Sequence, residues 1–230
     1  MPSVEVRDAT PRVLLFDLDG TLTDNFEGIA NCIRYALAHM DVADPGDEAL
    51  RVCVGPPLRE TLPQLIGRSD AATIERAVGL YRERFSELGW RENRAYPGIA
   101  EMLAAAKQSN PRTFLCTTKP QQFAEKIIGH FGYGQFIDGI YGTSLDGLLD
   151  DKANLLAHLL AREKLDGANC VMIGDRKHDI RAARRNGARS LGVLWGYGSR
   201  AELLEAGATG LIAHPGEFEP GLAEVQAVSS

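Results

Sequence analysis

Residues 13–22 read VLLFDLDGTL, an apolar run followed by two acids that stand two positions apart. The four apolar residues before Asp17 predict a buried strand of a parallel sheet that ends where the acid begins. An unpaired carboxylate is costly to remove from water, so acids at the end of a buried strand need a reason. Chemistry provides one, because open α/β sheets bind ligands beyond the carboxyl ends of their strands. Asp17 is then a candidate nucleophile and Asp19 a candidate proton donor and acceptor, although Asp-Gly is also ordinary turn sequence.

The segment that follows this strand is helical. Apolar residues recur at helical spacing from Thr23 to Arg94, and no strand pattern is found there. A run of roughly 70 residues is too long for a loop between two elements of one domain. We therefore predict a helical cap domain over residues 23–94, inserted into a core domain that covers residues 1–22 and 95–230.

From Pro97 onward the pattern alternates between helix and strand. Short β-rich runs occur at residues 113–116, 136–141, 170–173, 191–194 and 211–213, with helical patterns between them. Alternation of this kind is typical of βαβ units and a mostly parallel sheet. The predicted fold class is α/β, with a Rossmann-like, mostly parallel sheet core and an inserted small α-helical cap.

The composition and net charge of the chain argue against several classes of function. The chain has 230 residues and a net charge of −6, which argues against a general nucleic-acid binder. The four cysteines show no metal-binding spacing, which predicts reduced core residues. Residues 1–12 are polar and unlike a secretory signal, and no apolar run has membrane-spanning length. We expect a cytoplasmic monomer or homodimer that binds neither membranes nor nucleic acids.

Other predicted strands also end in polar residues. Thr117 and Thr118 follow the second strand of the core, and Asp175 follows a later one, while Lys152 stands near the start of a helix. The carboxyl ends of parallel strands share one edge, so these side chains can meet. Converging acids suit Mg²⁺, and a hydroxyl with an ammonium group suits a phosphoryl group. The set predicts phosphoryl transfer.

These residues also carry a resemblance to a known family. The sequence resembles the haloacid dehalogenase superfamily of aspartate-nucleophile phosphatases, whose four motifs match the runs at residues 17–21 and 174–179, Thr117 and Lys152. The helical insertion resembles the cap of subfamily I. The runs at residues 55–59 and 195–198 resemble the branch that contains phosphoglycolate phosphatases and 5′-nucleotidases.

The resemblance implies roles for the acids. Asp17 would form an aspartyl-phosphate, while Asp19 would protonate the leaving alcohol and then activate water. The implied Mg²⁺ ligands are the Asp17 carboxylate, the backbone carbonyl of Asp19, and Asp175, with Asp179 nearby.

It also implies contacts to the substrate. Thr117 and Lys152 would hold the phosphoryl oxygens, and Gly20 would allow the backbone to approach closely. Thr118 stands where this branch often has Asn, so a backbone contact to substrate would survive there and an amide contact would not. Arg59, the last residue of the run at residues 55–59, is either a surface charge of the cap or a contact for an anionic substrate.

Two sets of residues have simpler interpretations. The basic residues that follow Asp175 are predicted to form a solvated helix face: Arg176, Lys177, Arg181, Arg184 and Arg185. Histidines 39, 130, 158 and 214 show no ligand spacing.

The leading hypothesis is a Mg²⁺-dependent phosphatase acting on a small phosphorylated metabolite, either phosphoglycolate-like or a nucleoside monophosphate. A phosphomutase like β-phosphoglucomutase would share the motifs and the cap, and it would need a bisphosphate intermediate. A non-catalytic module that binds phosphorylated metabolites is a third alternative, and it would release no phosphate from any ester.

Overall fold

The computed structural model describes residues 13–108, 112–144, 149 and 151–227. Within them are eight strands: β1 (Val13–Phe16), β2 (Thr23–Asp24), β3 (Arg94–Ala95), β4 (Arg112–Pro120), β5 (Gly139–Thr143), β6 (Cys170–Gly174), β7 (Arg189–Val193) and β8 (Gly210–Ile212). The same residues include ten α-helices: α1 (Phe26–Ala38), α2 (Asp47–Arg51), α3 (Leu58–Ile66), α4 (Ala71–Arg84), α5 (Ile99–Gln108), α6 (Gln121–His130), α7 (Lys152–Glu163), α8 (Lys177–Arg185), α9 (Arg200–Ala206) and α10 (Phe218–Ala227).

Six of the strands form one parallel sheet. Their order is β5-β4-β1-β6-β7-β8, which places β1 between β4 and β6. β1 is buried along its whole length, as its unbroken apolar sequence predicts. Leu14 and Phe16 pack in the same apolar cluster as α5, α6 and α10, whereas Val13 and Leu15 pack in the cluster of α7 and α8. The predicted fold class is confirmed.

The helical segment between β1 and β4 has a core of its own. α1 to α4 and a π-helix at Phe85–Gly89 enclose buried side chains such as Ile33, Leu62 and Val78. Complete burial of one such side chain contributes about 1.5–3 kcal/mol, so this cluster accounts for the helices staying together. We call residues 23–94 the cap and the other described residues the core. The division into two folding domains stays a prediction.

The strands differ from the sequence prediction at three main points. β4 continues to Pro120, so Thr117 and Thr118 lie within this strand and do not follow it. The segment predicted to contain no strand begins and ends in short ones, because β2 and β3 pair antiparallel where the chain enters and leaves the cap. The strand predicted at residues 136–141 begins instead at Gly139, after a 3₁₀ turn at Tyr133–Phe136. Asp138 explains this start, since its backbone and side chain both bond Thr113 at the beginning of the β4–β5 ladder.

The cysteines are buried and unlinked, in agreement with the prediction: Cys32, Cys53, Cys116 and Cys170. Among the residues that the structure describes, no helix is both long enough and apolar enough to cross a membrane.

Candidate active site

The carboxyl end of β1 is the centre of the candidate site. The Asp17 amide donates a hydrogen bond to the Ile173 carbonyl at 2.9 Å, which extends the β1–β6 ladder by one residue. Asp17 therefore lies beside the end of β6, where Asp175 follows. β4 flanks β1 on the other side and brings Thr117 and Thr118 to the same edge. The sheet thus gathers the strand-end residues as predicted.

Lys152 connects two of the acids. Its Nζ lies 2.7 Å from Asp17 Oδ1 and 2.5 Å from Asp179 Oδ1, and its side chain is 4% exposed. Asp151 fixes the start of α7, because its carboxylate accepts a hydrogen bond from the Asn154 amide. Burial disfavours the ammonium charge, but Asp17 and then Asp179 outweigh that effect and raise the pKa of Lys152. Lys152 is therefore a fixed positive charge against the candidate nucleophile.

Three carboxylates converge around that charge. Asp17, Asp175 and Asp179 each offer an oxygen within 4.8 Å of the others, and all three are buried. Asp175 is held by the Thr21 hydroxyl at 3.2 Å and by the Tyr197 amide at 2.8 Å.

The electrostatics of this cluster favour a cation. Burial, followed by the neighbouring Asp179 and Asp17, raises the pKa of Asp175 well above its ordinary value. Burial also raises the pKa of Asp179 to about 6, although Lys152 opposes the shift. One ammonium group therefore does not neutralise three crowded acids. A hard divalent cation binds carboxylate oxygens and would supply the missing charge, so the residues present fit a metal site.

Asp19 has a separate environment. Its Oδ2 lies 2.7 Å from Lys119 Nζ, and the same ammonium group sits 4.6 Å from the centre of the Phe85 ring. Burial raises the pKa of Asp19, and Lys119 opposes that rise. Asp17 and Asp19 thus have different charged partners, which suits two different chemical roles. The predicted metal contact of Asp19 involves its backbone carbonyl and stays a prediction.

The other predicted contact residues take up particular positions. Gly20 has a φ of +84°, and a Cβ there would lie 2.3 Å from Asp175 Oδ2. Its close approach is therefore to Asp175, and its amide donates to the Thr23 carbonyl. The buried Thr117 hydroxyl accepts a hydrogen bond from the Lys119 amide at 3.2 Å, while Thr118 lines the cavity described next. Their predicted contacts to substrate stay predictions.

A cavity of about 140 Å³ lies between the core and the cap. Asp17, Asp19 and Lys119 line it from the core. The cap supplies Leu58, Arg59, Tyr81 and Phe85. The cavity therefore joins the candidate nucleophile to a wall that contains both apolar and cationic groups.

The structure places Arg59 in that cap wall. Its Nε lies 2.6 Å from Glu75 Oε1 and its Nη2 lies 3.0 Å from Glu75 Oε2. Both side chains are partly exposed, so the pair adds little to stability. Arg59 is thus a cavity residue that Glu75 orients, and its contact to an anionic substrate stays a prediction.

Sequence reasoning missed Lys119 and Tyr197. Lys119 directly follows the predicted Thr117 and Thr118, and an ammonium group at a strand end was the available signal. Tyr197 bonds Asp175 through its amide, and its hydroxyl donates to Asp24 at 2.6 Å. The glycines around Tyr197 were its signal: a Cβ on Gly196 or Gly198 would lie within 2.3 Å of Asp175 atoms, so only glycine allows this loop to approach so closely.

Comparison with known proteins gives a consistent result. Residues 14–193 match the family model described as haloacid dehalogenase-like hydrolase. A 5′-nucleotidase of Pseudomonas aeruginosa is 43% identical over 86% of this chain and 90% of its own length. A phosphoglycolate phosphatase of Xanthomonas campestris is 31% identical over 81% of this chain and 85% of its own.

Two further proteins extend the comparison. The tyrosine-protein kinase PtkA of Mycobacterium tuberculosis is 37% identical over 89% of this chain and 69% of its own length. The crystal structure of a protein from Clostridium acetobutylicum, described as a predicted phosphatase, superimposes with a TM-score of 0.88 at 34% identity. That alignment covers 94% of this chain and 99% of the other.

Proposed function

The chain belongs to the haloacid dehalogenase-like hydrolase family, and from that premise we propose that it is a Mg²⁺-dependent phosphatase of a small phosphorylated metabolite. One observation carries the proposal. Asp17 lines a cavity beneath the cap while Lys152 and two more buried acids surround its carboxylate. A nucleophile, a charge for phosphoryl oxygens and a metal-binding set are thus together at one strand end.

The proposed mechanism follows from these positions. Asp17 attacks phosphorus and forms an aspartyl-phosphate, while Asp19 gives its proton to the leaving oxygen. Asp19 then takes a proton from the water that hydrolyses the aspartyl-phosphate. Lys152 and Thr117 bind the phosphoryl oxygens. Lys119 keeps the Asp19 carboxylate turned toward the cavity, which both of them line.

The carboxylates of Asp17, Asp175 and Asp179 would hold Mg²⁺, together with the Asp19 carbonyl. When bound, the ion offsets negative charge on the phosphoryl group. The donor set supports this assignment, since every ligand is a hard oxygen.

The substrate is proposed to be a nucleoside 5′-monophosphate or a phosphoglycolate-like ester. The names of the two similar enzymes support both choices. The cavity wall supports them too, because Tyr81 and Phe85 suit a planar apolar group and Arg59 suits an anion. We propose that the enzyme acts on small molecules in the cytoplasm, as a monomer or homodimer.

The experiment that tests this proposal measures phosphate release from a panel of phosphate esters, with Mg²⁺ and with excess chelator. We expect turnover with Mg²⁺ and background rates with chelator. Efficient conversion that needs a bisphosphate and releases little phosphate would indicate a mutase. Binding without release from any ester would indicate the non-catalytic module.

Arg59→Ala separates the two substrate choices. We expect kcat/KM for an ester with an anionic leaving group to fall roughly tenfold to a hundredfold, the scale of a hydrogen bond to a charged group. A small ester with a neutral leaving group should be hydrolysed almost as before. The measurement is steady-state kinetics on both esters.

Glu75→Gln is the matched control for Arg59→Ala, because it removes the charge that orients Arg59 and keeps the guanidinium group. Its loss should be smaller than that of Arg59→Ala. Equal losses on both esters would mean that the cap is damaged, and no loss on either would leave Arg59 without a role in binding.

Thr21→Val tests the metal site. The Thr21 hydroxyl is buried and donates to Asp175 Oδ1 at 3.2 Å, so the variant keeps the shape and removes one orienting bond. We expect the Mg²⁺ concentration for half-maximal activity to rise roughly tenfold to a hundredfold, the usual effect of losing a ligand's supporting bond. Turnover at saturating Mg²⁺ should change little. Thr73→Val at the start of α4 is the control, and an unchanged Mg²⁺ requirement in Thr21→Val would contradict the assignment of Asp175.

A further inference from the structure

Arg176 lies between two residues of the acidic cluster, yet its side chain bonds to residues outside that cluster. Its amide donates to Asp179 Oδ2 at 3.0 Å, which closes the first turn of α8. The sequence predicted that this arginine belongs to a solvated helix face. That prediction is wrong for Arg176, whose side chain is only 14% exposed because it is enclosed between the core and the cap.

Two contacts account for this burial. Arg176 Nη1 donates to the Val54 carbonyl of the cap at 2.6 Å. Its Nε donates to Glu202 Oε1 of α9 at 2.9 Å. The Lys177 amide donates to the same oxygen at 2.9 Å, so Glu202 is fixed to the start of α8. One end of the guanidinium group is thus anchored in the core and the other end holds a backbone carbonyl of the cap.

The cap backbone is shaped for this contact. Gly55 directly follows the bonded carbonyl and has a φ of +103°, a conformation that favours glycine. A Cβ at Gly55 would lie 3.1 Å from Arg176 Nη1, closer than a side chain fits comfortably. The approach of the cap to this arginine therefore depends on the glycine as well as on the hydrogen bond.

The bonded segment continues directly into the cavity wall. Pro56 and Pro57 follow Gly55 and have restricted backbones, and α3 then begins at Leu58. Gly55, both prolines, Leu58 and Arg59 line the cavity that contains Asp17. Because this segment is stiff, fixing the Val54 carbonyl also fixes the wall above the nucleophile.

We propose that Arg176 is a positioning residue: by binding the Val54 carbonyl it holds the cavity wall at residues 55–57 over the nucleophile, with Glu202 orienting its guanidinium group. This inference rests on the proposed phosphatase function and deepens it. The wall meets the leaving group, whereas the phosphoryl group binds to the core. Arg176 therefore controls how well the leaving group is held, without contacting the substrate.

The kinetic test uses Arg176→Gln and the best substrate of the wild-type enzyme at saturating Mg²⁺. We expect KM to rise roughly tenfold to a hundredfold, the scale of a lost hydrogen bond to a charged group. Because the wall contacts the leaving group before and during reaction, kcat should fall less than threefold, as expected for uniform binding. Arg176→Lys should recover only part of the loss, since one ammonium group does not reproduce the guanidinium fork.

Two further variants sharpen this test. Glu202→Gln keeps an acceptor for the Lys177 amide but weakens the anchor, so its KM should lie between wild type and Arg176→Gln. Arg181→Gln changes an exposed arginine on the same helix and should leave both constants unchanged. A fall in kcat and melting temperature without a rise in KM would reduce Arg176 to a purely structural role and overturn the proposal.

The second test does not depend on turnover. Hydrogen–deuterium exchange of the peptide covering residues 53–60 is measured in the wild type, Arg176→Gln and Arg181→Gln, with no substrate present. We expect at least about tenfold faster exchange in Arg176→Gln alone, because losing the bond frees the wall to open locally. Unchanged exchange would overturn the proposal. If the wild type hydrolyses no ester, the phosphatase proposal fails, and faster exchange would still establish the contact.

Discussion

Replacing Asp17 with Asn is expected to remove turnover almost completely. The variant keeps the size of the side chain, but a neutral carboxamide lacks the charged oxygen that attacks phosphorus. The expected loss in kcat is on the order of 10⁶-fold, the scale seen when a covalent nucleophile is removed from a hydrolase. The measurement is phosphate release from the best ester at saturating Mg²⁺, with the melting temperature as a check on folding.

Asp19→Asn is the matched comparison for Asp17→Asn. Both variants replace an acid on the same loop, yet proton transfer typically contributes only about 10²–10⁴-fold, so Asp19→Asn should retain measurable activity. With an ester whose leaving group needs no proton, Asp19→Asn should still form the aspartyl-phosphate and then hydrolyse it slowly. Mass spectrometry after acid quenching should therefore find phosphorylated enzyme in Asp19→Asn and none in Asp17→Asn.

Two outcomes would count against these roles. A covalent phosphoryl group on Asp17→Asn would mean that another residue is the nucleophile. Equal losses in the two variants, with no phosphorylated enzyme in either, would indicate that Asp17 only binds metal and that water attacks phosphorus directly.

The central residues of this site could be predicted from the sequence, because the position of ligand sites in parallel sheets follows a simple rule. Ligands bind beyond the carboxyl ends of parallel strands. The positions of Asp17, Thr117 and Asp175 near predicted strand ends therefore predict that the three residues lie close together. The structure places all three at one edge of the sheet. Lys152 required the family resemblance as well, because an isolated lysine at a helix start has no periodic signal.

The contacts between cap and core were not available from the sequence. Arg176 and Val54 are 122 positions apart, and neither the apolar pattern of α8 nor the cap helices indicates that they meet. Their pairing depends on how the helices of the cap are placed against the core, which is set by contacts between residues far apart in the chain. A local sequence pattern indicates only which face of a helix is buried. A charged side chain that bridges the cap and the core therefore resembles a surface residue in the sequence.

The glycines of the motifs indicate that another group approaches the backbone closely, but their spacing in the sequence does not identify that group. Gly20, Gly55 and Gly196 all belong to sequence motifs, and each lies close to a charged residue of the run at residues 174–179. Gly20 and Gly196 crowd Asp175, and Gly55 faces Arg176. A glycine shows that something must come close, but only the fold shows which group does so.

Outside the Asp17 and Asp19 pair, Lys152→Met should have the largest effect, on both activity and stability. The loss of one donor to a developing charge usually costs about 10²–10³-fold in kcat, and we expect a loss of that size at saturating Mg²⁺. When no metal is bound, the variant also leaves the Asp17 and Asp179 carboxylates buried without the Lys152 ammonium group that contacts both. Removing one partner of a buried ion pair costs about 3–5 kcal/mol, or roughly 10 °C in melting temperature for a chain of this size.

The dependence on pH and metal makes the Lys152→Met prediction specific. Burial already raises the pKa of Asp179 to about 6 against the opposing effect of Lys152, so the variant should raise it further. A carboxyl group whose pKa is raised in the folded state binds more protons there than in the unfolded chain, so stability falls as pH rises. The metal-free variant should therefore lose melting temperature from about pH 4 to beyond pH 6, and its decline should differ from that of wild type mainly above pH 6. Mg²⁺ should restore most of the loss, because a divalent cation replaces the missing charge and binds only the folded site.

Lys164→Met, just beyond the other end of α7, is the exposed control and should show neither effect. A metal-free Lys152→Met protein that melts like wild type at pH 7 would mean that this ammonium group does not hold the acids together.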